Sequence, residues 1–189
     1  MAIRIARWAA LSLGLTAAAC APRPVTTFDL SSSIAGRGGA RAGEALTVME
    51  PVALQSLDST TIVVRGGGGE LTMLGDAQWA DRLPRLVQTQ LLRAFEDAGR
   101  LGKVSRPNDG AVTSRQLNSE LRQFNLDSAT GEAVVEISVR VVDTLSGNVV
   151  RARVFTGRAP VSGAVSGPAA AAALDAALAK VLAEIVGWA

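Results

Sequence analysis

The sequence predicts a single two-layer α/β domain: a mixed, mostly antiparallel sheet packed by two main helices, preceded by a signal peptide and a flexible tether. Three observations predict it. Several short segments alternate apolar and polar residues with period two. Two longer segments carry apolar stripes at helical spacing. The 189 residues, 48% of them hydrophobic, suit one hydrophobic core. The boundaries read as 1–19 for the signal peptide, 20–43 for the tether and 44–189 for the folded domain.

Residues 1–19 begin with Arg4 and Arg7, continue through an uncharged stretch from Trp8 to Ala19, and end in Ala17-Ala18-Ala19 before Cys20. This is the layout of a secretory signal peptide. Its apolar stretch falls short of the ~20 residues a spanning helix requires. Ala17-Ala18-Ala19-Cys20 resembles the bacterial lipobox, which implies that Cys20 takes a diacylglycerol and becomes the new N-terminus. An ordinary signal peptide cleaved near an unmodified cysteine is the alternative. One acyl chain holds a protein only marginally, so the two or three chains of a lipoprotein give lasting attachment. By resemblance to sorting signals, Ala21 rather than Asp after the cysteine favours the outer membrane.

Charge follows from the same segment. The chain has 19 basic and 17 acidic residues and a pI near 9.3. Loss of Arg4 and Arg7 leaves 17 of each. A neutral mature chain has no electrostatic footprint for nucleic acid and no strongly basic membrane-binding face. With no His, no Tyr and one Cys, a Ser-His-Asp triad, a Cys-His pair, a His or Cys metal cluster and an intrachain disulfide are all excluded within one chain. No cofactor is expected.

The tether, Ala21 to Gly43, is rich in Pro, Ser, Thr, Gly and Ala. Phe28-Asp29-Leu30 interrupts it, either as a short strand docking on the domain edge or as part of a loose linker. Leu46 to Val48 starts the domain with a short strand, and Thr61 to Arg65 is a second, rich in β-branched residues. Gly66 to Gly69 then leads into Glu70 to Leu74. A phosphate-binding loop needs a Gly-Lys-Ser/Thr ending that opens a helix, so the four glycines read as a hairpin turn.

Asp76 is placed as the N-cap of a helix beginning around Ala77 to Trp79, with Pro84 inside its first turns or starting its main segment. Leu83, Val87, Leu91, Ala94 and Ala98 form its stripe, Arg82, Arg85, Gln88 and Asp97 lie largely off it, and Gly99 ends it. Leu101 to Ser105 reads as a short strand and Arg106 to Gly110 as a turn.

Leu117 to Leu126 is a strand whose apolar phase shifts between Leu121 and Phe124, which predicts a bulge. Val135, Ile137, Val139 and Val141 alternate cleanly, and after the Ser146-Gly147-Asn148 turn Val150, Ala152 and Val154 are taken as the inward residues of the next strand. Arg140, Arg151 and Arg153 would then share a wet face with Glu136, as a salt-bridged surface or an anion site. Ser166-Gly167-Pro168 opens the last helix, with Leu174, Leu178, Val181 and Ile185 as its stripe and the alanines at 169–173 permitting close packing. Carboxylate pairs such as Asp76 with Asp81, or Glu132 with Glu136, read as cap and surface residues rather than a hydrolytic pair.

The lipobox, the aromatic-x-Leu at Phe28, Thr61-Ile62-Val63-Val64-Arg65, the Trp79-Ala80 entry with Leu83, the Leu117–Leu126 strand, the meander and the Ala/Leu-rich last helix together resemble the ABC-type transport auxiliary lipoprotein family over about residues 20–187. That resemblance implies a non-catalytic, outer-membrane-anchored component facing the periplasm. Its system would be of the MCE (mammalian cell entry) type, moving lipids or organic solvents between the membranes. Its implied partners are a tunnel-forming MCE protein with an inner-membrane ABC permease and ATPase, and a homo-oligomeric ring would suit such a tunnel. The site residues it implies are Cys20 for lipidation and Trp79 as a docking or structural position; a Trp at such an entry also serves as an anchor clamping helix to sheet. An outer-membrane assembly or cell-envelope scaffolding lipoprotein is the alternative role.

Overall fold

The structure is a computed structural model that describes residues 24–31, 45–100 and 104–189. Its strands are β1 (Thr26–Phe28), β2 (Leu46–Val48), β3 (Val52–Ala53), β4 (Thr61–Arg65), β5 (Leu71–Trp79), β6 (Val104–Ser105), β7 (Arg115–Asp127), β8 (Glu132–Asp143) and β9 (Val149–Pro160), and its helices are α1 (Leu83–Phe95) and α2 (Gly167–Trp188). Among the described residues these nine strands form one open sheet.

β7 is the spine. Along one edge it pairs antiparallel with β8 from Arg115↔Asp143 to Asp127↔Glu132. Its other edge takes three short parallel strands in succession: β2 at Leu46↔Arg115, β3 at Val52↔Glu120 and β4 at Val63↔Asn125. β9 continues the meander beside β8. β5 and then β1 extend the sheet beyond β4. The register shift expected in the long strand falls between Leu121 and Gln123. The extra residue restores inward direction to both Leu121 and Phe124, each 1% exposed.

Both helices pack into one core on one face of this sheet, with Val87, Leu91 and Phe95 from α1 and Leu174, Leu178, Val181 and Ile185 from α2. The alanines let α2 approach closely. A Cβ on Gly157 of β9 would lie 2.3 Å from the Ala177 carbonyl oxygen of α2, and one on Gly167 would lie 2.7 Å from the Ala77 Cβ. Two glutamines of α1 are buried and accounted for: Gln88 Nε2 donates to the Val48 carbonyl at 3.0 Å, and Gln90 Nε2 donates to the Leu30 carbonyl. Gln88 is thus a core residue, because a buried amide that satisfies a strand-end carbonyl removes the desolvation penalty of both groups.

Three expectations are corrected. Residues 76–79 are strand, so Asp76 caps nothing: β1 pairs with Ala77 to Trp79, and Trp79 N–H donates to the Thr60 carbonyl. α1 starts at Leu83 with Pro84 in its first turn, where the missing N–H costs no helical bond. In β9 the inward residues are Phe155, Gly157 and Ala159, while Val150, Ala152 and Val154 are exposed. Register sets this direction, since Phe155 lies opposite Ile137 and Val154 opposite Ser138. Arg151 and Arg153 therefore point to the helix side and Arg140 to the other, so the three form no common strip.

Part of the segment expected as tether is structured. β1 docks beside β5, Leu30 is 1% exposed, and Ser31 donates from N–H and Oγ to the two oxygens of Asp175 on α2 at 3.0 and 2.9 Å. The docking strand is the observed alternative, displaced to Thr26–Phe28. The hairpin over Gly66 to Gly69 is as expected, with Gly68 and Gly69 at φ 72 and 87.

Gly157→Ala should destabilise the domain by about 2–3 kcal/mol in urea denaturation, because neither the Ala177 carbonyl nor Val181 can yield without shifting α2. Thr156→Ala, one residue away and exposed, should stay within ~0.5 kcal/mol of the parent.

Candidate interaction surfaces

Of the residues expected to act, Cys20 lies outside the described residues. Trp79 is 1% exposed. Its ring meets Phe124 edge-on, with centroids 5.8 Å apart. It occupies the anchor position between α1, the sheet and the core, and no part of the domain surface is formed by its ring. The carboxylate pairs are separated: Asp81 binds Arg85 at 3.2 Å, Glu132 binds Arg158 at 3.4 Å and Glu136 lies 4.0 Å from Arg122. No group of three metal-ligating side chains occurs among the described residues, and no described helix is long and apolar enough to cross a membrane.

Arg151 and Arg153 have structural partners. Arg151 Nη1 donates to the Trp188 carbonyl at the end of α2. Arg153 stacks 4.9 Å above the Phe155 ring, which in turn meets Trp188 edge-on at 5.3 Å, and it reaches Glu184 at 3.8 Å. Together they fasten the C-terminal turn of α2 to β9, where cations also favour the helix dipole.

Three surface features remain. A cleft of about 510 Å³ opens between α1 and the turn after β6. Arg85, Thr89, Arg106 and Glu50 line it; Arg106 Nη2 donates to Thr89 Oγ1 at 3.1 Å and Arg85 is taken by Asp81, so both of its cations already have partners. The second feature lies on the sheet face away from the helices, where the β4–β5 hairpin puts Leu71 and Met73 in water, 46% and 68% exposed. Both lie on β5, to one side of Arg65, which faces Leu71 in the register while Met73 faces Val63. Arg65 Nε is buried without a hydrogen-bond partner, and its in-register neighbour Asp127 directs Oδ1 to the N–H groups of Ala129 and Thr130. The third is a tip at the opposite end of β7. There Val112 and Leu145 are 97% and 93% exposed, on loops joined by the Thr144 hydroxyl donating to the Thr113 carbonyl at 2.8 Å and Thr144 N–H donating to the Ser114 carbonyl at 3.0 Å.

Two carboxyls are held below the ordinary aspartate range. Asp81 accepts from the Arg82 backbone N–H and then from Arg85. Asp143 accepts from the Ser146 backbone N–H, then its hydroxyl. Both carboxyls therefore stay ionised near neutral pH as acceptors of surface contacts, and neither holds a proton there to act as a general acid.

The model of the ABC-type transport auxiliary lipoprotein component family matches residues 28–186. An uncharacterised protein of Bradyrhizobium diazoefficiens is 32% identical over 171 residues, 89% of this chain and 46% of that protein; the chain spans about half the length of that curated relative. A Xanthomonas campestris protein of known crystal structure is 29% identical with a TM-score of 0.80, over 87% of this chain and 94% of that one. A second crystal structure, of an uncharacterised protein 13% identical with a TM-score of 0.69, covers 88% and 99% and shows the shared fold alone.

Trp79→Ala should cost about 3–5 kcal/mol of stability. In a Trp188→Phe background of the chain from residue 20 onward, Trp79 emission should be blue-shifted and resist acrylamide quenching. The Asp81 and Asp143 contributions to stability should be complete above the ordinary aspartate range and vanish as pH falls through their lowered values. Carboxyl-carbon NMR titration should place both below that range, and Arg85→Ala should leave most of the Asp81 depression, because its largest cause is the Arg82 N–H.

Proposed function

The chain belongs to the family of ABC-type transport auxiliary lipoprotein components, and from that premise we propose that it is the outer-membrane-anchored, non-catalytic auxiliary subunit of an MCE-type transport system for lipids or organic solvents. The observation that carries the reading is the extent of the match: residues 28–186 take in the strands and helices of the domain almost from end to end, so the transport-auxiliary role attaches to the whole fold. The sequence supplies the anchor at Cys20, and Ala21 after it favours the outer membrane.

The described residues suit such a role. Many of their charged groups are spent on ion pairs and backbone caps, and exposed apolar side chains stand at both ends of the sheet, Leu71 and Met73 at one and Val112 and Leu145 at the other, as well as at Val52, Leu54 and along β9. Energy for transport would come from the partner ATPase. This subunit would contribute position and contact, meeting the outer end of the tunnel-forming MCE protein, and a ring of copies would match the symmetry of a tunnel.

Cys20→Ser should move the protein from the membrane pellet to the soluble fraction. Affinity purification of the acylated protein from detergent-solubilised envelopes should recover an MCE protein with its permease and ATPase. Recovery of a β-barrel or of peptidoglycan in their place, with unchanged outer-membrane permeability on deletion, would instead establish the assembly or scaffolding role.

A further inference from the structure

We propose that the end of the sheet bearing the β4–β5 hairpin rests on the phospholipid surface that holds the anchor, with Arg65 on headgroup phosphate and Leu71 and Met73 in the acyl boundary. This rests on the reading of Cys20 as acylated. The docked β1 strand limits which end of the sheet the anchor can hold against that surface.

Five residues, 21–25, separate Cys20 from Thr26. Six Cα steps of ~3.5 Å give a reach of about 20 Å. Thr26 is in register with Ala77, Gln78 with Thr61, and Val63 with Asn125, so β1 begins near the level of Phe124 on the spine. At ~3.3 Å per residue that level is roughly 10 Å from Asp127 and roughly 30 Å from Arg115. β1 also runs parallel to β5, which leads away from the hairpin, so the chain enters β1 from the hairpin side. An anchor at Cys20 can bring the Asp127 end to the bilayer. Standing the domain on its Arg115 end would need about 30 Å, more than that reach.

The end within reach has the chemistry of a lipid contact. Leu71 and Met73 are exposed apolar side chains on the strand beside Arg65, a cation whose Nε is buried without a hydrogen-bond partner and which has no ion pair with any described residue. The acidic groups nearby are engaged or turned aside: Asp127 caps its own turn, Glu132 pairs with Arg158, and Glu70 lies against Gly66, its Oε2 3.6 Å from where a Gly66 Cβ would stand. One arginine and two side chains bind weakly alone, but a tether of this length holds them at high effective concentration beside the surface. Val112 and Leu145, at the far end, then point away from the membrane toward a partner.

The test uses the full mature chain, acylated and reconstituted into vesicles of phosphatidylethanolamine and phosphatidylglycerol at 3:1. A fluorophore is placed at Glu70→Cys or at Leu145→Cys, and quenching by a headgroup-attached quencher is measured. The expected result is at least three-fold greater quenching at position 70 than at 145. That difference should be lost in Arg65→Gln combined with Leu71→Ser and Met73→Ser, while the protein still floats with the vesicles. Leu71→Ser with Met73→Ser, at exposed positions, keeps the comparison valid if loss of Arg65 lowers the melting temperature. Equal quenching at both positions with Cys20 acylated would overturn the docked orientation and leave the anchor reading intact, whereas an unmodified Cys20 would sink both. If the patch variant kept the quenching difference but lost a co-purifying envelope protein, the patch would belong to that protein and not to lipid.

Discussion

The backbone hydrogen bonds of β7 hold this domain in one piece, because two edges of a single thirteen-residue strand serve four others. One edge is given wholly to β8. The other is divided among β2, β3 and β4, each two to five residues long and unable to stand alone. Their parallel pairing makes each contact non-local, and the short strands gain stability only once the β7–β8 ladder exists. The bulge near Arg122 is the compromise that keeps this spine useful on both sides. It lets Leu117 and Leu121 before it, and Phe124 and Leu126 after it, face the helices, and it sends Arg122 to the open face against Glu120 and Glu136.

From that spine the close approach of α2 follows. β8 supplies Val135, Ile137 and Val139, and β9 supplies Phe155, a glycine and an alanine, so the sheet is thick under the C-terminal half of the helix and thin under its middle. Ala170, Ala173 and Ala177 fill the thin part by bringing backbone to backbone, as the Gly157 geometry shows. Where β9 outruns the core, Arg151 and Arg153 fold back onto Trp188, Phe155 and Glu184. Long side chains with apolar stems cover what the alanines cannot.

Most of this was legible in the residues. Alternation marked β8, helical spacing marked the stripes of α1 and α2, and the break between Leu121 and Phe124 marked the bulge, because each is a local pattern with a fixed geometric meaning. The failures were tertiary. Asp76 to Trp79 has the look of a helix entry until Thr26–Phe28, some fifty residues earlier, pairs with it. β9 alternates equally well in either phase, and its direction was decided by the register against β8, which the Ser146-Gly147-Asn148 turn and a shift near Val142 set together. Gln88 read as lying off the apolar stripe because its acceptor, the Val48 carbonyl, belongs to a strand forty residues earlier. Cys20 was fully visible as a motif, whereas the bareness of Arg65 depends on where Asp127 spends its oxygens.

Charge neutrality and the short leash bear on the same question. A formally neutral mature chain whose domain hung on a long flexible linker would have little to orient it toward its membrane, since neither net charge nor geometry would do so. The docking of β1, the burial of Leu30 and the Ser31 bonds to Asp175 fix Thr26 to Ser31 on the domain, so that five residues separate Cys20 from the first docked strand. With Cys20 acylated as proposed, covalent reach would limit the orientation, and Arg65 with the exposed Leu71 and Met73 on the strand beside it is the proposed lipid contact within that reach. In that orientation the far tip would be the presenting end. Its loops are tied together by Thr144, so Val112 and Leu145 are offered as a fixed pair rather than as two wandering side chains, and a fixed pair loses less entropy when a partner covers it.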